Sequence, residues 1–587
     1  MQVARDKALL LILASAALLR IIYLTEIIGS PGDCTHLNEQ SDMAFFVEQA
    51  AYISDDDWLQ DVSLHPYHEW HGVVANRYFA TIGNDAPPAT TAEEIEARNR
   101  ALWDHWYGGK SYHQEPMYAY TLAVLFKVFG ENNLSVVYIL QSIIGLGSIF
   151  LVYSISQSLF SRKVAIVAGV LVTLYAPLLF FETILLRASF IAFASLLLVR
   201  LSIWARDKGT LKQWLILGVA CGAAILLKSN LLLFFAGTIA LMALEIPRQF
   251  KKTALIGGVM VAGFILALLP LIGRNMMVGV SPGRLSSVTP VTFLTTNIPG
   301  TTVTGFTPLD DGIVAGMGAS DGKLLPILRG TLKSHTFGSY SDLVIRKLAG
   351  IFHWYEYPNN TNFYFHEKFS FVLRNLPVST ILILSLAIPG IFLSFRNLKQ
   401  TSPLLLMILT HLATIILVFV SARFRLPLVV CAIPFAAVAL VRFVDFAQAK
   451  QWKPLGFSVI AVLALILFIG RPLPEVRSKI RHADYYITLQ KYYAPLADSV
   501  RQTGNWPGVV VVWNDFLSLQ STALKNLRAN SIIESESLAE AAKLYARIYM
   551  FQADALERAN QPEQAAAAKA RAYELATAVA NSFPEKQ

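Results

Sequence analysis

Charge is scarce in this chain. Only 15% of its 587 residues are Asp, Glu, Lys or Arg, against roughly 25% in an ordinary soluble domain. That scarcity excludes a solvated, disordered polypeptide and argues against a soluble enzyme. Cysteine is nearly absent as well: Cys221 and Cys431 sit inside apolar runs and Cys34 lies just past the first of them. No disulfide framework can organise the fold. A third absence is internal symmetry, because the two halves show no inverted match of the kind that marks many carriers.

What the chain has in quantity is apolar sequence, 54% of its residues, with a mean hydropathy of +0.48. Runs near the length needed to cross a bilayer fall at 8–28, 134–159, 164–181, 184–203, 213–228, 229–246, 254–273, 378–395, 402–421, 425–443 and 455–470. The first continues past the small residues Ala14, Ser15 and Ala16 to Ile28, which reads as an uncleaved helix. A shorter run at 116–130 contains Lys127 and suits a re-entrant or interfacial helix. If it does not cross, Arg162 and Lys163, Arg206 to Lys212, Lys251 and Lys252, Arg396 and Lys399, and Arg442 to Lys453 all face one side. Basic short loops mark the inner side of a membrane protein. The net charge of +9 therefore reports topology, with membrane lipids as surroundings and no nucleic acid as partner.

With that orientation, two large loops lie outside, at 29–115 and 275–377, and a tail follows at 471–587. Ser281-Pro282-Gly283 and Asn297-Ile298-Pro299-Gly300 predict turns through the first half of the second loop, and its aromatic later part predicts helical or interfacial structure. In the tail, Val509 to Trp513 reads as a short strand or a buried core segment. Residues 538–581 read as an Ala-rich helical hairpin broken before Pro562, like one tetratricopeptide unit.

Three acids stand out. Asp42 lies a short way past the first helix, at the head of an amphipathic stretch with Phe45, Phe46, Gln49 and Ala50. A carboxylate there can act as a general base or cap a helix. Glu115 precedes Pro116 and the short apolar run, at a helix N-terminus that attracts anions. Glu182, followed five residues later by Arg187, stands at an outer helix end, where an ionisable group is paired or functional. Against the basic-inside trend, Arg20, Lys228, Arg274, Arg423 and Arg425 fall at or near outer ends, and Arg offers a fork for phosphate. His65, His68 and His71 suggest a metal site, but Pro66 breaks the helix that would present them together. Asp55-Asp56-Asp57 reads as a solvated acidic turn or part of a divalent cation site.

An acid soon after the first helix, a polar loop ending in Glu115-Pro116-Met117-Tyr118 and a short run ending in Phe129-Gly130 together resemble a known pattern. It is that of GT-C glycosyltransferases using polyprenyl-phosphate sugars, including protein O-mannosyltransferases and the aminoarabinose transferase of lipid A. The likeness extends through Tyr175 to Glu182, through Arg274-Asn275 with Phe293 and Asn297, and to Arg423-Phe424-Arg425-Leu426-Pro427. It implies an all-α integral membrane protein with a GT-C-like bundle over 1–470 and a small helical domain over 471–587. It also implies sugar transfer, with inversion, from a polyprenyl-phosphate donor to a glycan, lipid or protein acceptor at the outer face of a bacterial inner membrane. Asp42, Glu115 and Glu182 would then be catalytic, and Arg20, Arg274, Asn297, Arg423 and Arg425 would bind substrate. No cofactor follows with certainty; metal ligands are unknown and a divalent metal cation stays open. The rival class is a transporter or flippase of lipid-linked saccharides.

Overall fold

The computed structural model describes residues 6–130, 133–245, 250–304, 311–471, 488–529 and 535–582. Among these the protein is helical, and the extended pairing is an isolated bridge between Tyr175 and Val378. Among the described residues seven helices are long and apolar enough to cross a membrane: Lys7–Ile27, Leu134–Leu159, Ala188–Lys208, Lys251–Met277, Phe395–Leu417, Ala422–Gln448 and Trp452–Ile469. Four shorter apolar helices, Met117–Phe129, Leu211–Leu227, Ser229–Leu244 and Thr380–Leu393, accompany them. This is an integral membrane protein.

The run expected as a span at 164–181 is not one helix. It forms Arg162–Thr173 and, after a break at Leu174 and Tyr175, the short helix Ala176–Phe180. Pro177 cannot donate to a preceding turn, so it falls in the first turn of a new helix instead. From Tyr175 to Ser189 every residue is buried, so this segment lines the protein interior rather than facing lipid.

Close helix contact depends on small residues. A Cβ on Gly390 would collide with the Phe435 carbonyl oxygen, so the Thr380–Leu393 helix meets Ala422–Gln448 backbone to backbone.

The first compact unit comprises Met1–Leu24, Phe45–Asn359 and Val372–Arg471. Within it the two outer loops share one hydrophobic core. Val74, Trp103, Trp106 and Tyr107 of the first pack with Phe293, Leu294, Ile313 and Met317 of the second. Fully burying such a side chain contributes roughly 1.5–3 kcal/mol. The turns expected at 281–283 and 297–300 form, at Pro282-Gly283 and at Pro299-Gly300, where Gly300 has φ 84°. Around them stand helices at Val288–Asn297, Asp311–Ser320 and Leu324–Lys333, followed by Phe337–Ile351 in the part expected to be helical or interfacial. The first three are short, and each presents apolar residues to this core, so tertiary burial stabilises helices that the local sequence does not announce.

The second unit gathers Thr25–Ala44, Asn360–Phe371 and Pro472–Gln587. The start of the expected C-terminal domain, 472–487, lies outside the described residues. Its core holds Phe365, Tyr492, Tyr493, Val509, Trp513 and Phe516. Val509 to Trp513 belongs to the helix Trp506–Ala529 and not to a strand; the segment is a core element in helical form. The hairpin consists of Ser535–Arg558 and Pro562–Ser582, with Asn560 at φ 58° in the turn and Pro562 opening the second helix.

Candidate active site

In the first unit the candidate site is built around Glu115. Pro116 starts the Met117–Phe129 helix and leaves Glu115 just ahead of it, 1% exposed. Arg187 Nη1 donates to its Oε2 at 2.5 Å, and Arg187 Nη2 donates to Gln114 Oε1 at 2.5 Å. Ser229 donates to Glu115 Oε1 twice, from its backbone N–H at 2.9 Å and its hydroxyl at 2.6 Å. Lys228 Nζ stands 3.8 Å from the same oxygen. Burial alone would raise this carboxyl, but Lys228, Arg187 and the Ser229 hydrogen bonds outweigh it and hold Glu115 well below the usual carboxylate range.

Glu115 therefore fixes the break between the Leu211–Leu227 helix and the turn Ser229–Leu231. That break carries Lys228, whose Nζ lies 5.7 Å from the Phe424 ring centre. Arg423 approaches the same ring at 5.0 Å. Lys228 and Arg423 are both half-buried. Two cations beside one aromatic ring, next to a braced carboxylate, form a positive recess suited to an anion. Asn230 from the turn donates to Thr414 Oγ1 at 3.0 Å, tying the recess to the Leu398–Leu417 helix.

Glu182 is fully buried and pairs with Arg20, Nη2 to Oε1 at 2.6 Å, and not with its sequence neighbour Arg187. Gly145 makes room for this pair, since a Cβ there would collide with the Glu182 carboxylate. Arg425 is 1% exposed and donates to the His353 and Tyr355 carbonyls and to Glu356. Glu356 in turn accepts from Thr380, whose hydroxyl is 2.8 Å from Tyr175. Arg274 donates to the carbonyls of Leu59, Gln60 and Lys110. Asn297 accepts from Lys347 and donates to the Leu417 carbonyl. Of the residues expected to bind substrate, Arg423 alone is not buried; Arg20, Arg274, Asn297 and Arg425 make the hydrogen bonds described here to groups of the protein itself.

Lys347 carries no sequence signal of its own, since Arg346-Lys347 on an amphipathic helix reads as surface. It is nevertheless fully buried and donates to Asn297 Oδ1 at 2.8 Å and to the carbonyls of Ile416 and Val418 at 3.0 and 2.8 Å. Together Lys347 and Asn297 take the carbonyls of 416, 417 and 418, which end the Leu398–Leu417 helix. Burial, with Arg346 adding to it, pushes the Lys347 ammonium down to about 7.

The histidines of the first loop are packing and hydrogen-bonding residues. His71 stacks on Trp70 at 3.7 Å and its carbonyl accepts from Trp103, while burial, with His68 and His113 adding to it, pushes its imidazole down to about 2. His65 Nε2 meets Asp104 at 2.7 Å. Among the described residues no three His, Cys, Asp or Glu side chains converge to hold a metal ion. Asp56 pairs with Lys127.

Asp42 belongs to the second unit. It is the first residue of the helix Asp42–Ser54, where Ser41 Oγ accepts from the Ala44 N–H at 3.1 Å. Asn360 Nδ2 donates to Asp42 Oδ2 at 2.5 Å.

Residues 113–272 match the family model described as dolichyl-phosphate-mannose-protein mannosyltransferase. No curated protein sequence matches the chain. Among solved structures, it is similar to the oligosaccharyltransferase of Archaeoglobus fulgidus in its apo form, with TM-score 0.39 and 13% identity over 81% of this chain and 58% of that one. The archaeal enzyme AglB with an inhibitory peptide and a dolichol-phosphate gives TM-score 0.33 and 14% identity, over 76% of this chain and 59% of that one. ArnT from Cupriavidus metallidurans bound to undecaprenyl phosphate gives TM-score 0.22 and 14% identity, over 68% and 77%. The chain thus spans less than two thirds of the archaeal enzyme's length. The matched stretch 113–272 contains Glu115, Glu182, Arg187 and Lys228, and with it this integral membrane protein resembles the GT-C glycosyltransferases.

Proposed function

We propose that the protein transfers a sugar from a polyprenyl-phosphate carrier to an acceptor hydroxyl or amine at the outer face of a membrane. The observation that carries this reading is the positive recess at Phe424, where Lys228 and Arg423 meet beside the braced Glu115. It suits the phosphodiester of a lipid-linked sugar and the phosphate monoester that remains after transfer. In the proposed reaction Asp42 takes the proton from the acceptor, the acceptor atom bonds to the anomeric carbon with inversion, and the bond from that carbon to the phosphate oxygen breaks. The bonding pair stays on the phosphate, whose growing charge is met by basic side chains or a cation. A phosphate leaving group needs no general acid, so one carboxylate suffices, unlike the two-carboxylate glycosidase arrangement. Glu115 acts by holding Lys228 in place.

The test is transfer of radiolabelled sugar from defined polyprenyl-phosphate donors by purified protein. Asp42→Asn should lower kcat by about 10²–10⁴-fold with little change in donor KM, and Arg423→Gln should raise donor KM. Absence of transfer with every donor, together with measured movement of lipid-linked saccharide across vesicles, would establish the transporter reading instead.

A further inference from the structure

The C-terminal helices end in a contact that bears directly on Asp42. Asn360 holds Asp42 Oδ2 at 2.5 Å, and Lys491 Nζ reaches Asn360 Oδ1 at 3.4 Å. All three residues lie in the second unit, on its three separate stretches. Lys491 sits in the π-helical turn Leu489–Tyr493, and such turns re-aim side chains and recur at functional sites. Its neighbour Tyr492 is fully buried, accepts from the Asn362 N–H at 3.2 Å and donates to the Asn362 carbonyl at 3.4 Å. Tyr493, also fully buried, donates to Asp515 Oδ2 at 2.6 Å. The turn bearing Lys491 is thus pinned on both sides, to the stretch that carries Asn360 and to the Trp506–Ala529 helix.

We propose that Lys491 and Asn360 are positioning residues for the base Asp42, which makes the C-terminal helices part of the reaction apparatus and not an accessory; this rests on the reading of Asp42 as base. The chemistry runs through one amide. A cation near the Asn360 carbonyl oxygen polarises the group and strengthens the N–H that Asp42 accepts. A hydrogen bond to the carboxylate favours its ionised form, and the N-terminus of the Asp42–Ser54 helix favours it further. The arrangement fixes one oxygen of the base and keeps it ready to take a proton. The other charged groups and histidines on the stretches Thr25–Ala44 and Asn360–Phe371 are Glu26, Asp33, His36, Glu39, His366, Glu367 and Lys368, with Cys34 and Tyr364 also titratable. Burial pushes His366 down to about 3, and burial also lowers His36, so neither adds a cation near neutral pH.

The experiment uses the full-length purified protein and the labelled-donor assay, with Asn360→Ala, Lys491→Met and Lys491→Arg beside Asp42→Asn. Asn360→Ala and Lys491→Met should each lower kcat by about tenfold or more with donor KM within about twofold. They should also move the acid limb of the pH–rate profile upward by about one unit in the first case and less in the second. Lys491→Arg should restore the limb. The double variant should be no slower than Asn360→Ala, because the two residues act in series. Lys491 is half-buried, so Lys491→Met with an unchanged melting temperature and an unchanged pH profile would overturn the proposal while Asp42→Asn remains inactive. Full activity in Asp42→Asn would instead overturn the base reading and the proposal with it.

Discussion

At the scale of single residues, the pairings are where chemistry and stability meet. Removing charge from Glu115 leaves Arg187 and Lys228 facing each other in a buried site. Breaking one side of a buried pair costs about 3–5 kcal/mol. Glu115→Gln should therefore lower the melting temperature in detergent by several degrees at pH 7. The pH dependence has a definite sign. A carboxyl held below its ordinary value of 4.5 contributes stability that is fully present above that value and lost as pH falls toward the lowered one. The gap between native protein and Glu115→Gln should accordingly be constant from pH 6 to 8 and shrink below about pH 4.5; a constant gap down to pH 3 would contradict it. Asp42 and Glu115 were legible from their places near the two ends of the first large loop, and Glu182 from its place at the end of an apolar run. Their partners were not. Glu182 and Arg187 are five apart in sequence, yet each pairs across the bundle, with Arg20 and Glu115 respectively. Such choices depend on which helix faces which, and local spacing carries no record of that.

At the scale of elements, the Leu398–Leu417 helix shows how an outer loop can finish a membrane helix. Its last carbonyls have no intrahelical donors and take theirs from Lys347 and Asn297. Lys347→Met would orphan the carbonyls of Ile416 and Val418, and each buried unsatisfied acceptor costs about 1–3 kcal/mol. The expected outcome is a lower melting temperature and faster proteolysis between the Leu398–Leu417 and Ala422–Gln448 helices. Unchanged melting would show that the carbonyls find other donors. The sequence revealed these two helices by their length and hydropathy. It did not reveal the helices in the first half of the second large loop, whose Pro, Gly and Thr residues signal turns, though the helical character of its aromatic later part was legible. There the shared core with Trp103, Trp106 and Tyr107 decides the conformation.

At the scale of the whole molecule, orientation is the first thing to measure. With Cys34, Cys221 and Cys431 replaced by Ser, Asp55→Cys should react with an impermeant maleimide on intact cells. Lys212→Cys and Lys399→Cys should react only after permeabilisation. All three positions are exposed, so the opposite pattern would invert the assigned faces. Hydropathy and basic loops made the membrane portion readable, because both follow from the bilayer itself. The grouping of Thr25–Ala44 with the C-terminal helices was not readable, since it arises from contacts between the two ends of the chain. That grouping also sets an order of events during synthesis. The segment bearing Asp42 leaves the ribosome early, but Lys491 and the tyrosines beside it come only after the last membrane helix. At roughly 5–20 residues per second the wait is on the order of a minute. On the proposed reading of Asp42 as base, a chain stalled or clipped before Lys491 would carry that carboxylate without the lysine that acts on it through Asn360.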